Sequence, residues 1–242
     1  MYRTYFWNKL HIYGKKIIFI FTLLLFFFTQ EGKAQAYTWD ANLPNYDDRK
    51  LHYGFILALN STRFRPDLSS TYIGDTISSI QSPAAMGFTL GFIVNYKLTD
   101  YLDLRLTPGV SFYERTVNYN FASGFSKSQT QENVFIELPL LLKYKSQRRK
   151  NTRLYMIGGL KTAFEAGAKK NQRQKSDLRT NSFDLSIDYG FGFDFYFKFF
   201  KFAPELRFSH GIMNLLINDP NVYSHSLIGL TSHTVTLYLN FE

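Results

Sequence analysis

Ser182–Phe197 reads SFDLSIDYGFGFDFYF, and its odd positions are Phe183, Leu185, Ile187, Tyr189, Phe191, Phe193, Phe195 and Phe197. The even positions are Ser182, Asp184, Ser186, Asp188, Gly190, Gly192, Asp194 and Tyr196. Side chains alternate faces along a strand, so this pattern predicts one greasy face and one mainly polar face. At ~3.3 Å per residue the stretch spans roughly 53 Å, far longer than a common soluble strand. An aromatic face of that length must meet either a second sheet or lipid.

The same alternation recurs on both sides of this stretch. Leu51, Tyr53, Phe55, Leu57 and Leu59 share one face; Met86, Phe88, Leu90, Phe92, Val94, Tyr96 and Leu98 share another. Leu102–Phe112 continues towards Phe121, Val134–Tyr144 follows, and Leu154–Ala166 is less cleanly patterned. Phe202, Leu206 and Phe208, then Val235, Leu237, Leu239 and Phe241, complete the set. The spacing therefore predicts eight strands. Their predicted connections are 61–83, 99–100, 122–131, 146–151, 167–180, a turn near 198, and 214–230. Short and long connections alternate, as in outer-membrane barrels with short periplasmic turns and longer external loops.

The first 36 residues predict export. Met1–Lys16 carries Arg3, Lys9, Lys15 and Lys16 without an acid, Ile17–Phe28 is apolar except for Thr22, and Ala34 and Ala36 offer small residues at cleavage spacing. The expected organisation is a signal peptide at 1–36, cleaved after Ala34 or Ala36, an extended periplasmic tether at 37–50, and a barrel at 51–242. The apolar run is shorter than the ~20 residues a membrane helix needs. Full-length net charge is +9; without 1–36 there remain 23 basic and 18 acidic residues, or +5. That excess suits an anionic lipid surface and is no nucleic-acid signature. Cysteine is absent, which excludes disulfides, thiolate metal sites and cysteine nucleophiles.

Alternation alone fits a membrane barrel and a lipocalin-like calyx with its apolar face turned inward. The export signal, strand length and polar small-residue face favour an antiparallel transmembrane barrel of outer-membrane type. Its lumen then holds Asp103, Glu137, Glu165, Asp184, Asp188, Asp194 and Glu205 against Lys97, Arg105, Arg115, Lys143, Lys145, Lys161, Lys201 and Arg207. Asp184 and Asp188 lie ~13 Å apart along a strand, too far for a glycosidase pair at roughly 5–9.5 Å. These carboxylates are expected to pair with Lys143, Lys161, Arg105 or Arg207.

No catalytic, cofactor or metal constellation is expected. His52, His210, His225 and His233 have no nucleophile–base partner in sequence, and no metal-ligand spacing occurs. YGFGFDFY at 189–196 imitates an RNA-binding octamer, but lacks its leading base and places Asp194 at the sixth position. The turn at Arg148, Arg149 and Lys150 and the tether acids Asp40, Asp47 and Asp48 are candidate docking charges, which could bind each other or orient two partners. A second basic loop, with Lys169, Lys170, Arg173, Lys175 and Arg179, could face lipid phosphates.

FIELPLLLKYKS (135–146), LYMIGG (154–159) and FKFAPELRFSHGIMNLL (200–216) resemble an outer-membrane β-barrel family of Gram-negative bacteria. LPNYDDRKLHYGFILALN (43–60), GFTLGFIVNYKLTDYLDLRLTPGVSFYER (87–115) and DYGFGFDFYFKFFKFAPEL (188–206) resemble, more narrowly, the PorT proteins of the type IX (Por) secretion system. The resemblance implies a non-enzymatic outer-membrane component needed to export proteins with C-terminal sorting domains. Its implied partners are outer-membrane lipid and other secretion components. The fit is loosest at 61–83 and 167–180. The other readings are the calyx and a passive structural barrel.

Overall fold

The computed structural model describes residues 41–69, 77–166, 178–220 and 222–242. The expected signal peptide, Asp40, and the basic loop residues Lys169, Lys170, Arg173 and Lys175 lie outside these residues.

Ten strands form one antiparallel sheet: β1 Leu51–Leu68, β2 Ile77–Gln81, β3 Ala85–Lys97, β4 Leu102–Leu106, β5 Gly109–Phe121, β6 Ser126–Lys145, β7 Thr152–Ala166, β8 Phe183–Tyr196, β9 Lys201–Gly211 and β10 Leu227–Phe241. A helical turn, α1, spans Val222–His225. β1 pairs with both β10 and β3, closing the sheet into a ring of eight. β4 and β5 are one course interrupted at Thr107–Pro108, where proline lacks the ladder N–H. β2 continues the β3 course beyond Ser82–Ala84. There the Ser82 hydroxyl accepts from the Phe64 N–H and donates to the Thr116 carbonyl, replacing ladder bonds lost at the break.

The apolar face turns outward on every course. Phe92 is 70% exposed, Phe191 45% and Leu237 44%, whereas their chain neighbours Ile93, Gly192 and Tyr238 are buried. This overturns the calyx, which needs these residues inside. The lumen is narrow, as eight strands dictate, and filled by side chains. Gly192 shows the fit: a Cβ there would stand 2.5 Å from the Tyr155 ring, so glycine makes the space that ring occupies.

Three predicted loops are shorter than expected. β1 runs to Leu68, β6 starts at Ser126, and β10 starts at Leu227. The cause is common to all three. Beyond the hydrocarbon the outer face no longer needs apolar residues, so the strand continues without its apolar alternation. The 122–131 loop shrinks to a turn at Ala122–Phe125, where Gly124 takes φ +83°. Polar cross-strand pairs then carry the hairpin: Thr116–Thr130 at 3.0 Å, Ser128 to Asn118 at 2.8 Å and Ser126 to Asn120 at 2.8 Å.

Inside the loop end, Phe64, Ile77, Ile80, Val117, Tyr119, Leu227 and Leu230 from the strands meet Leu178 and Leu215 from the connections. This cluster is almost wholly apolar. The rest of the lumen carries most of the buried charges, together with smaller apolar groups such as Ile56, Ala58, Ile93 and Tyr238.

Candidate functional site

The lumen network grows from strand parity. β4 directs Asp103 and Arg105 inward, β6 Glu137, Lys143 and Lys145, β7 Lys161, β8 Asp184, Asp188 and Asp194, and β9 Lys201, Glu205 and Arg207; all are buried. Arg105 sits at the centre. It donates to Glu205 at 3.3 Å, Glu242 at 2.8 Å and the Asn95 side chain at 3.2 Å. Glu205 also accepts from Arg207 at 2.6 Å and from the Tyr155 hydroxyl at 2.9 Å. Lys143 donates to both oxygens of Asp194, at 2.8 and 2.9 Å, and lies 3.8 Å from the Tyr155 ring centre. Lys145 pairs with Asp103 at 2.7 Å. Glu137 accepts from Lys161 at 3.1 Å and from Tyr113 at 2.7 Å.

Several placements differ from simple pairing. Asp188 faces Arg207 at 3.8 Å, an attraction without a hydrogen bond between those two atoms. Asp184 accepts from the Ser232 hydroxyl, and among the described residues no cation forms an ion pair with it. Glu165 accepts from Asn133 and Ser182. Lys97 stands at the rim with exposed Asp100, 2.8 Å away, so it leaves the expected lumen set. Arg115 lies within 5.2 Å of the Phe64, Tyr113 and Phe135 ring centres, and its Nε donates to Thr62. Its charge rests on ring faces.

Sequence reasoning missed Glu242. It ion-pairs with Arg105 and Lys201, each at 2.8 Å, and accepts from the Tyr46 hydroxyl. The signal was present: Thr234, Thr236, Tyr238 and Asn240 face inward, and the same parity carries on to 242.

The second assembly lies at the short-turn end. Ala41–Lys50 forms turns across the lumen mouth, contrary to the extended tether expected from its polar composition. Tyr46 explains the difference. Its ring stacks on His52 with centroids 4.1 Å apart and meets Tyr196 edge-on. Burial and the Glu242 carboxylate push the Tyr46 hydroxyl far above its ordinary pKa, so it remains a donor. Asp47 receives two hydrogen bonds from Arg153, at 3.0 and 2.8 Å. Burial alone would raise the Asp47 pKa, but Arg153, with Lys145 and Arg148, holds it below the usual carboxylate range.

The candidate docking charges therefore divide. Arg148 lies 3.7 Å from the Tyr196 ring centre, donates to the Asn42 and Leu43 carbonyls, and stands 3.8 Å from Asp47. Arg148 and Asp47 thus engage each other across the mouth. Asp48, Arg149 and Lys150 are exposed at the same end. Asp40 lies outside the described residues. Of the histidines, His52 is inward under Tyr46, His225 ends α1, and His210 and His233 stand side by side outside the barrel. Among the described residues no group of three or more His, Cys, Asp or Glu side chains is arranged to hold a metal ion.

A closed ring with apolar flanks and an ionic lumen defines a membrane β-barrel. The family model described as "Outer membrane protein beta-barrel domain" matches residues 30–216, and the chain belongs to that family. It is an outer-membrane protein, with lipid around its apolar flanks. No curated protein matches the sequence. Among solved structures, the chain is similar to OprG from Pseudomonas aeruginosa, with 11% identity over 79% of this chain and 90% of that one (TM-score 0.43). Neisserial surface protein A has 12% identity over 79% and 98% (TM-score 0.40). The N-terminal β-barrel domain of Pseudomonas aeruginosa OprF has 15% over 78% and 97% (TM-score 0.36).

Proposed function

We propose that this barrel is a non-enzymatic component of type IX protein secretion, acting through its surfaces and with a lumen that is no conduit. The observation that supports this most is the filled lumen with Ala41–Lys50 folded across one mouth. Ion pairs occupy the bore and Tyr46 covers its end. Work on cargo then falls to the rim. The resemblance of 43–60, 87–115 and 188–206 to PorT proteins supports the choice of pathway. Short turns of outer-membrane barrels face the periplasm, which would present Asp48, Arg149 and Lys150 to other export components there.

The test is Arg149→Glu with Lys150→Glu, leaving Arg148 as the clamp on Asn42 and Leu43. Cargo with C-terminal sorting domains is expected to fall in the medium while heat-modifiable migration of the barrel stays normal. Normal secretion by the correctly folded variant would remove this turn from the docking surface. Unchanged secretion after gene deletion would instead favour the passive structural barrel and overturn the proposal.

A further inference from the structure

The outward face carries one sector that breaks its own rule. On β1 the exposed series Leu57, Leu59 gives way to Ser61, Arg63 and Arg65. On β10 the series Leu239, Leu237, Val235 is followed by His233; on β9 the series Leu206, Phe208 is followed by His210. These changes coincide in register. Arg63 pairs with His233, and His233 pairs with His210. The rings of His210 and His233 lie 4.7 Å apart, and the Tyr189 hydroxyl from β8 stands 3.5 Å from His210 Nε2. Arg65 follows Arg63 on the same face, two residues on.

Among the described residues, neither Arg63 nor Arg65 belongs to an ion pair. Asp67, further along β1, has its carboxylate beside Gly229 of β10. Arg63, Arg65, Pro66, His210 and His233 line a surface cleft of about 630 Å3. Across the barrel, the corresponding stretch of β5 and β6 carries Glu114 opposite Glu132. The basic sector is therefore local.

We propose that Arg63, Arg65, His210 and His233 bind the phosphate of a membrane lipid headgroup, with its acyl chains on the adjoining apolar face of β1, β10 and β9. Two guanidiniums can grip phosphate oxygens in bidentate fashion, and imidazole N–H groups add donors. Continuity with the lipid-facing series selects a lipid over a soluble phosphate: Val235 and Phe208, then Leu59, Leu237 and Leu206 in the next row, begin one hydrocarbon-contacting surface beside the cations. The external loops of outer-membrane barrels place this sector in the outer leaflet. The site is independent of any role in secretion.

The test titrates the folded full chain in neutral detergent with diphosphorylated lipid A, with the same lipid after phosphate removal, and with inorganic phosphate as competitor. The phosphorylated lipid should bind. Arg63→Gln with Arg65→Gln should weaken it at least roughly tenfold, equivalent to about 1.4 kcal/mol, while Arg149→Gln with Lys150→Gln should leave it unchanged. Equal affinity for the dephosphorylated lipid, or equal weakening by the control pair, would overturn the site. Displacement by millimolar inorganic phosphate would make it a free-phosphate site and overturn the lipid assignment. Heat-modifiable migration checks folding. Should the arginine variant misfold, His210→Ala with His233→Ala reads the same site, and unchanged affinity there would count against it.

Discussion

The two halves of the lumen obey different rules. Towards the short turns the bore is held by Arg105, Glu205, Glu242, Lys143 and Asp194, each dependent on a particular partner. Towards the loops it is held by Phe64, Val117, Leu215 and Leu230, which need only volume and apolarity. A buried charge that loses its partner remains a charge in a poor solvent. A buried leucine that loses its neighbour leaves a cavity. The ionic half should therefore fail through single contacts and the apolar half through lost volume.

Arg105→Ala should have the largest effect, because it takes the shared cation from Glu205 and Glu242 at once and leaves each buried carboxylate with one cation, Arg207 and Lys201 respectively. A loss of about 3–5 kcal/mol is expected, read as the denaturation midpoint of the detergent-folded barrel. Leu230→Ala in the apolar half should cost about 2–5 kcal/mol by the cavity rule, at the lower end if loop residues Leu178 and Leu215 relax into the space. Hydrogen exchange should localise that loss to the loop end. If Arg105→Ala proves the milder of the two, the division between the halves is wrong.

How much of this was legible follows the solvent outside the wall. Where hydrocarbon lies outside, Phe191 and Gly192 or Leu237 and Tyr238 declare their faces by polarity alone. Beyond it the relation inverts: Phe64 faces in while Arg63 and Arg65 face out, so Ser61–Leu68 read as loop. Ser126–Gln131 was missed for the same reason. The apolar cluster was also hidden because Leu178, Leu215 and Leu227 reach it from connections or strand ends, with no period to announce them. In the candidate site, parity found Arg105, Glu137 and Asp194. It could not reveal that Tyr46 stacks on His52, because that contact joins an irregular segment to a strand.

The smallest expected effect concerns the mouth. Asp47 has a depressed pKa when folded, so its contribution is complete above the unfolded aspartate value of about 3.9 and disappears as pH falls through the lower folded value. With no cysteine in the chain, Asp48→Cys offers a single spin-label position. The label should be immobile at neutral pH and loosen only below pH of about 4. Adding Asp47→Asn should loosen it at neutral pH and remove this acid transition. An immobile label in that variant would show that Tyr46 and Arg148 hold the segment without the Asp47 charge, which would make the mouth less ionic than the bore.

Glu242 has a consequence for the order of assembly. Arg105, on the third course of the ring, finds its carboxylates 100 and 137 residues later. Until β9 and β10 arrive, the nascent sheet carries that guanidinium without either acid and must keep it hydrated. The last strand therefore brings two things at once: the hydrogen bonds that close the edge, and the negative charge that lets water leave the bore. Closure and drying are coupled through one side chain, and an incompletely closed barrel is also a wet one.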